Sequence, residues 1–252
     1  MKYVPREDTI IADGEMAGLP APVARYFAFA LPLDHRKVTA ARAKWTGTFL
    51  TKRGEKPSAF TAVQHFSIHP PGFVWDAKIK TMPLVPTFVR DSYVEGTGAM
   101  RARLGGLVSL VDRSGTRDLA EASLQRFLGE AVWFPTGLLP EFGVQWAAID
   151  DATARATLSD RGNTVSVHFH FGERGEITGC TAMRQRDVDG TAVLTPWRTR
   201  TCDYVRVDGM MIPRYADAAW MLPCGPLTYW RGQLERIAYE YDRPDAGRVD
   251  TR

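Results

Sequence analysis

The sequence predicts an α+β fold that is mostly β, in which a strongly curved antiparallel sheet, a half-barrel or open barrel, wraps around a central helix. About eleven short segments alternate polar and apolar residues and are separated mostly by tight turns. Residues 118–140 form the one long helical pattern among them. Strand–helix–strand alternation is absent, which favours an antiparallel meander over a parallel sheet.

The elements before the central helix follow from periodicity and turn residues. A short helix is predicted over 19–31, because proline lies in its first turn and Pro32 follows its end. The predicted strands then cover residues 44–49, 60–68, 73–79, 87–94 and 100–111. In the last of these, Gly105-Gly106 is interpreted as a bulge or bend.

The central helix packs its apolar face against the sheet. Asp118 is the predicted N-cap, and Glu121 completes an approximate capping box. Pro135 is expected to stop the helix. The apolar face comprises Leu124, Phe127, Leu128, Ala131 and Val132.

Beyond the central helix the alternation resumes. The predicted strands cover residues 144–149, 152–158, 165–171, 177–184, 197–207, 210–220 and 227–241. Asp208-Gly209 gives the strongest hairpin signal in the chain. We therefore predict a lead-in over 1–18, a single curved-sheet domain over 19–243 and a disordered tail over 244–252.

Composition excludes several classes of protein. The chain has 252 residues, of which 44% are hydrophobic, and no uninterrupted apolar run is long enough for a membrane span. The N-terminus has acidic residues where a signal peptide needs an apolar core, so we expect a cytoplasmic protein. The net charge of +3 comes from scattered basic residues, which argues against nucleic-acid binding. Three widely spaced cysteines predict reduced, buried thiols.

Cofactor and metal motifs are missing from the sequence. No Walker loop, dinucleotide fingerprint or HExxH motif occurs, so no cofactor is expected. His168 and His170 share a strand face, but two histidines opposite an apolar stripe are more simply solvent-facing side chains. No metal is predicted.

The first candidate site lies on the predicted strand 87–94. Asp91 and Tyr93 share one face of this strand, while Arg90 points away. An aspartate beside a tyrosine hydroxyl in a partly buried cavity can act as base and acid. The alternative is that Asp91 and Arg90 pair to hold an edge strand.

The second candidate site lies on the central helix. Arg126 and Glu130 are one turn apart, so they form either a solvent-facing ion pair or a pair that points into a cavity, where Glu130 could be an acid or base. Gln64 projects from the apolar face of its strand and needs a polar partner there, because a buried amide without one costs about 1–3 kcal/mol.

Aromatic residues supply the third signal. Seven tryptophans are more than packing requires, and indole rings suit a pocket for a flat apolar ligand. Trp75 and Trp133 are expected in such an aromatic-lined hollow. Tyr229 and Arg231 are two residues apart on the last strand and so project from the same face of it.

Several motifs resemble a bacterial family of unknown function with a tryptophan-rich pattern. They are LPAPVxRYF (19–27), FTAxQxF (60–66), PPGFxW (70–75), VRDxY (89–93) and WFPTxLLP (133–140). At the level of fold, the chain also resembles the lipoprotein-carrier-like half-barrels. That resemblance implies a curved sheet that holds an apolar ligand around helices.

Two functions are compatible with these features. The first is a cofactor-independent lyase or isomerase acting on a small hydrophobic or aromatic molecule, by a retro-aldol-type aldehyde loss or an elimination. Asp91 or Glu130 would be the base and Tyr93 the acid, while Arg90, Arg126 or Gln64 would stabilise developing negative charge. The alternative is a non-catalytic cytoplasmic carrier for an apolar ligand. In both cases the partner is a small hydrophobic or aromatic molecule, with a homodimer as an option.

Overall fold

The structure, a computed structural model, describes residues 18–32, 34–50, 54–82, 84–188 and 190–241. The predicted tail, and the predicted lead-in up to residue 17, lie outside the described residues. Helix α1 is Ala21–Ala30, and helix α2 is Arg117–Glu130. Short 3₁₀ turns follow α2 at Ala131–Trp133, Pro135–Leu138 and Pro140–Phe142.

Thirteen strands occur in the described part of the chain, and they form one antiparallel sheet. They are β1 (Val38–Phe49), β2 (Ser58–Ser67), β3 (Gly72–Ile79), β4 (Thr87–Val94), β5 (Thr97–Leu104), β6 (Val108–Ser114), β7 (Gln145–Asp150), β8 (Thr153–Asp160), β9 (Asn163–Phe171), β10 (Ile177–Val188), β11 (Thr191–Val207), β12 (Met210–Leu222) and β13 (Gly225–Tyr241).

The sheet consists of two meanders, β1–β6 and β7–β13, which are joined because the first strand pairs with the last. Helix α2 connects the two edge strands, β6 and β7, across the concave side. It contacts β3, β4 and β5 of one meander and β9 and β10 of the other. The predicted curved antiparallel sheet around a central helix is therefore confirmed.

Hydrogen bonds between two hairpin turns bring the meanders together beside α2. The Tyr93 hydroxyl of β4 donates to Asp160 Oδ2 at 2.7 Å. The Asn163 side chain donates to the Gly96 carbonyl at 3.0 Å, which joins the β8–β9 turn to the β4–β5 turn. The remote halves of the sheet thus meet through side chains that no local sequence pattern pairs.

The start and end of α2 differ from the prediction. Asp118 is not the N-cap, because the Thr116 hydroxyl accepts the hydrogen bond from the Leu119 N–H at 3.3 Å. Glu121 does not complete a capping box but pairs with Arg117 at 2.8 Å. The α-helix ends at Glu130 and is followed by 3₁₀ turns, so it has already stopped before Pro135, the residue predicted to end it.

The stretch 100–111 is not one strand. Gly105 and Gly106 have φ values of 60° and 79°, in the left-handed region that glycine adopts readily. They form the turn of a hairpin between β5 and β6, rather than a bulge or bend within one strand. The separate strand β6 contributes to the larger strand count.

The core lies between α2 and the concave face of the sheet. The apolar stripe of β9 is buried, as its alternation predicts. Gly129 allows α2 to approach closely, because a Cβ there would lie 3.3 Å from Cys180 Sγ.

Cys180 is buried, but the prediction of buried thiols is wrong for Cys202 and Cys224, which are exposed. Within the described ranges, no helix has the length and apolar character needed to cross a membrane.

Candidate functional site

A cluster of charged and amide groups lies between α2 and the first meander. Arg126 Nη1 donates to Asp91 Oδ2 at 2.6 Å, and its Nε donates to Glu130 Oε1 at 2.8 Å. Gln64 Nε2 donates to Glu130 Oε2 at 2.7 Å. These three charged side chains are only 15–17% exposed. We call these four residues the carboxylate clamp.

The register of the sheet explains why the clamp assembles. Gln64, Trp75 and Asp91 are direct cross-strand neighbours on β2, β3 and β4, so they share the concave face. Arg126 reaches them from α2 and lies 4.8 Å from the ring centre of Phe73 and 5.3 Å from that of Trp75. Of the two possibilities for Arg126 and Glu130, the structure has the pair that points inward.

Electrostatics keep the Arg126 guanidinium charged. Burial disfavours its charge, but the nearby carboxylates of Glu130 and Asp91 outweigh that effect and raise the pKa of Arg126 above its ordinary value. Each carboxylate of the clamp already accepts a short hydrogen bond from this guanidinium. A base that is engaged in this way is poorly placed to abstract a proton from a substrate.

Tyr93 and Arg90 lie away from the clamp. The Tyr93 hydroxyl donates to Asp160 and accepts from Asn163, and burial together with the Asp160 hydrogen bond raises the pKa of Tyr93 above its ordinary value. Arg90 is on the outer face, where it forms a bidentate pair with Asp76 at 2.6 and 2.9 Å. The predicted alternative of an Arg90–Asp91 pair is wrong, because each residue has a different partner.

Trp133 is a packing residue. Its ring lies 4.6 Å from the ring of Trp45, and its indole N–H donates to the Pro213 carbonyl at 3.0 Å. It is only 4% exposed. By contrast, the indole nitrogens of Trp45 and Trp75 are buried without a hydrogen-bond partner among the described residues.

A second cluster surrounds Arg184 on β10, a residue that the sequence analysis did not single out. The Arg184 guanidinium lies 5.1 Å from the ring centre of Trp197 and 5.8 Å from that of Trp220. Its Nη1 donates to the Tyr229 hydroxyl at 3.4 Å, and its Nε donates to the Ala122 carbonyl at 3.1 Å. We call Arg184, Trp197, Trp220 and Tyr229 the arginine–aromatic cluster.

Aromatic rings extend this cluster along the concave face. Tyr229 and Trp220 are stacked 5.6 Å apart, and Tyr229 accepts a 3.0 Å hydrogen bond from the Trp197 indole. Phe49 packs edge-on against Tyr229. The rings of Phe49, Trp220 and Tyr229 are each partly exposed. Helix α2 links this cluster to the carboxylate clamp, because Arg184 donates to the Ala122 carbonyl of the helix that also contains Arg126 and Glu130.

The charge balance of the two clusters differs. No carboxylate of the described residues forms an ion pair with Arg184, whereas Arg126 has two such partners. An arginine flanked by aromatic rings and lacking a counter-ion can accept an anionic group. Tyr229, predicted from parity, belongs to this cluster. Arg184 could have been found only by knowing which strands face each other.

Two cavities lie elsewhere on the sheet. A groove of about 750 Å³ crosses the outer faces of β1–β5, and a smaller cavity of about 350 Å³ lies where β9 and β10 diverge beside α2. Neither is lined by Trp133.

In the described part of the chain, no group of three or more His, Cys, Asp or Glu residues could hold a metal ion. His168 is exposed, and His170 bonds to the Thr181 hydroxyl at 2.9 Å.

The sequence matches a known family. The profile of DUF6544, a family of unknown function, matches residues 9–232. The chain belongs to this family. It is the family expected from the tryptophan-rich motifs, and the match spans both clusters of the DUF6544 fold described above. A search of curated proteins finds no match.

Three solved structures resemble the DUF6544 chain in outline. A LolA superfamily protein, NE2245 from Nitrosomonas europaea, has a TM-score of 0.46 and 9% identity, covering 89% of this chain and 94% of its own. A DUF1329 family protein from Desulfovibrio piger has a TM-score of 0.45 and 10% identity, covering 83% of this chain and 89% of its own. A β-barrel-like protein of the domain of unknown function DUF1849, from Brucella abortus, has a TM-score of 0.27 and 15% identity, covering 82% of this chain and 100% of its own.

Proposed function

We propose that this protein binds, without transforming, a small molecule that has a flat apolar body and one acidic group. The ligand lies on the concave face against Phe49, Trp220 and Tyr229, with its acidic group on Arg184. This is the carrier alternative of the sequence analysis, made more specific by a cationic anchor.

The observation that carries the proposal is the environment of Arg184. Its guanidinium lies beside two indole rings and has no carboxylate partner among the described residues, although two of its donors already bond to Ala122 and Tyr229. Taking a guanidinium out of water without a counter-ion is costly, and an incoming carboxylate or sulfonate would offset that cost. The rings beside it are partly exposed and offer a stacking surface.

The geometry gives less support to the predicted acid–base chemistry. Asp91 and Glu130 are both engaged by Arg126, and Glu130 also accepts from Gln64. Tyr93 is directed to Asp160, so its hydroxyl is not in the clamp. Loss of an aldehyde or an elimination needs a free base next to a proton donor, and these residues do not form such a pair. In the proposed function the clamp instead holds α2 in position beside the ligand.

A pair of fluorescent probes tests the anchor. 1-Anilinonaphthalene-8-sulfonate and N-phenyl-1-naphthylamine share the same aromatic body, but only the first has a sulfonate. We expect the sulfonate probe to bind more tightly to the wild type. Arg184→Gln should weaken its affinity by about 1.5–3 kcal/mol, roughly ten- to a hundredfold, because a charged hydrogen bond is lost.

Two controls make this test specific. Arg155→Gln removes an exposed arginine from β8 and should leave the affinity for both probes unchanged. The uncharged probe should bind Arg184→Gln as well as it binds the wild type. Equal loss of affinity for both probes, or no preference of the wild type for the sulfonate, would contradict an anionic ligand at Arg184.

A further inference from the structure

Two leucines at one end of the sheet are almost fully exposed. Leu84, between β3 and β4, is 101% exposed, and Leu107, in the β5–β6 turn, is 90% exposed. Six of the thirteen exposed large apolar side chains of the described residues lie on these two connections and the start of β6. We call them the apolar tip: Met82, Leu84, Val85, Leu107, Val108 and Leu110.

The two connections form one surface. The Gly105 N–H donates to the Pro86 carbonyl at 2.8 Å, which ties the β5–β6 turn to the β3–β4 connection. A Cβ placed on Gly105 would lie 3.3 Å from Val85 Cγ1. The apolar side chains of both connections are therefore presented together at the end of the hairpins.

The fold does not explain leucine at position 84. An exposed side chain contributes no core packing, and the Leu84 backbone has a φ of 66°, in the region that favours glycine or asparagine. A contiguous exposed apolar surface of this kind is typical of an interaction site. Leu84 is therefore better explained by an interaction with something outside the chain.

Positive charge adjoins the apolar tip. The outer groove across β1–β5 is lined by five basic side chains against two acidic ones, and it includes Gly106 of the same turn as Leu107. Lys44, Lys78 and Arg103 in this groove make no hydrogen bond or ion pair with the described residues. The half-exposed ring of Phe88 lies between the groove and the tip.

We propose that the apolar tip inserts into the surface of an anionic lipid bilayer, with Lys78 and Arg103 held against the lipid headgroups. Exposed leucines next to lysine and arginine side chains that pair with none of the described residues are a combination that anchors a peripheral protein, because the leucines enter the acyl boundary and the cations meet negative charge. The charge of the groove selects an anionic surface over a neutral one. This proposal is independent of the ligand proposed for Arg184.

Vesicle sedimentation tests the proposal on the full chain. The protein is mixed with phosphatidylcholine vesicles or with vesicles that also contain phosphatidylglycerol, and the partition coefficient is measured. We expect binding to the anionic vesicles and its loss at high salt. Leu84→Ser and Leu107→Ser should each lower the partition coefficient about tenfold. Lys78→Gln and Arg103→Gln should each lower it about fivefold.

The controls separate insertion from other associations. Ile149→Ser removes a 50% exposed apolar side chain from β7, far along the sheet, and should leave partitioning unchanged. In a Leu107→Trp variant, brominated lipids should quench more fluorescence than in the wild type. The proposal is overturned if the wild type binds neither kind of vesicle or binds both equally. It is also overturned if sedimentation velocity shows a homodimer that Leu107→Ser dissociates, because a second copy then covers the tip.

Discussion

Replacing Arg126 by methionine is expected to destabilise the protein far more than removing any exposed ion pair. Arg126 is the shared partner of Asp91 and Glu130, at 2.6 and 2.8 Å, and all three side chains are at most 17% exposed. Without the guanidinium, two carboxylates remain in a poorly hydrated site with no positive partner. Methionine keeps an unbranched apolar side chain at this position, but the contact of the guanidinium with the rings of Phe73 and Trp75 is also lost.

The magnitude follows from this burial. Removing one partner of a buried ion pair costs about 3–5 kcal/mol, because the remaining charge is left uncompensated. For a chain of this size, each 1 kcal/mol shifts the melting temperature by about 2–4 °C, so a decrease of roughly 10 °C is expected. Arg90→Met is the matched control: its pair with Asp76 is bidentate but exposed, and its loss should cost only about 0.2–1 kcal/mol.

Urea unfolding followed by tryptophan fluorescence measures both variants. A third variant separates charge from packing, because Asp91→Asn and Glu130→Gln added to Arg126→Met remove the two unpaired charges. This triple variant should recover most of the lost free energy. The reasoning is refuted if Arg126→Met costs no more than Arg90→Met, or if the triple variant is less stable than Arg126→Met alone.

Three further predictions concern other buried groups. Tyr93→Phe should lower the free energy of unfolding by about 1–3 kcal/mol in urea titrations, because Asp160 loses its donor. Gln125→Leu should cost a similar amount and speed amide exchange in β9 and β10, since its amide bonds to one carbonyl in each strand. Burial raises the pKa of Cys180 to about 11, whereas the thiol of the unfolded chain has a pKa of about 8.5. The contribution of this protonated thiol to the free energy of unfolding is therefore fully present below about pH 8.5 and is lost as the pH rises towards 11. The free energy of unfolding of the wild type, measured relative to that of Cys180→Ala, should therefore fall over that pH range.

Much of the fold can be predicted from local pattern. Alternation in β9 buries one face, and Asp208-Gly209 forms the turn between β11 and β12, because period and turn chemistry are properties of neighbouring residues. Some of the wrong predictions concern positions where several local signals compete. Gly105-Gly106 is compatible with a bulge or a turn, and the hydrogen bond to Pro86 that accompanies the turn comes from another connection.

The candidate site is harder to predict, because it depends on which remote strands face each other. Parity put Gln64 on the apolar face of its strand and Asp91 on the same face as Tyr93, and helical spacing placed Arg126 next to Glu130. Their convergence on one guanidinium requires the position of α2. Arg184 gives no local signal, since its environment comes from β11, β12 and β13.

The sequence by itself determined the strand periodicity, the single central helix and which side chains of a strand share a face, because these depend on residues close together in the chain. The tertiary structure decided which charges were neutralised. Arg126 gained Asp91 in addition to its helical neighbour Glu130, and Arg184 gained no carboxylate among the described residues, since these ion pairs depend on distances of a few ångströms between elements far apart in sequence. That difference, and the exposure of Leu84 and Leu107 at the end of the sheet, can be seen only in three dimensions.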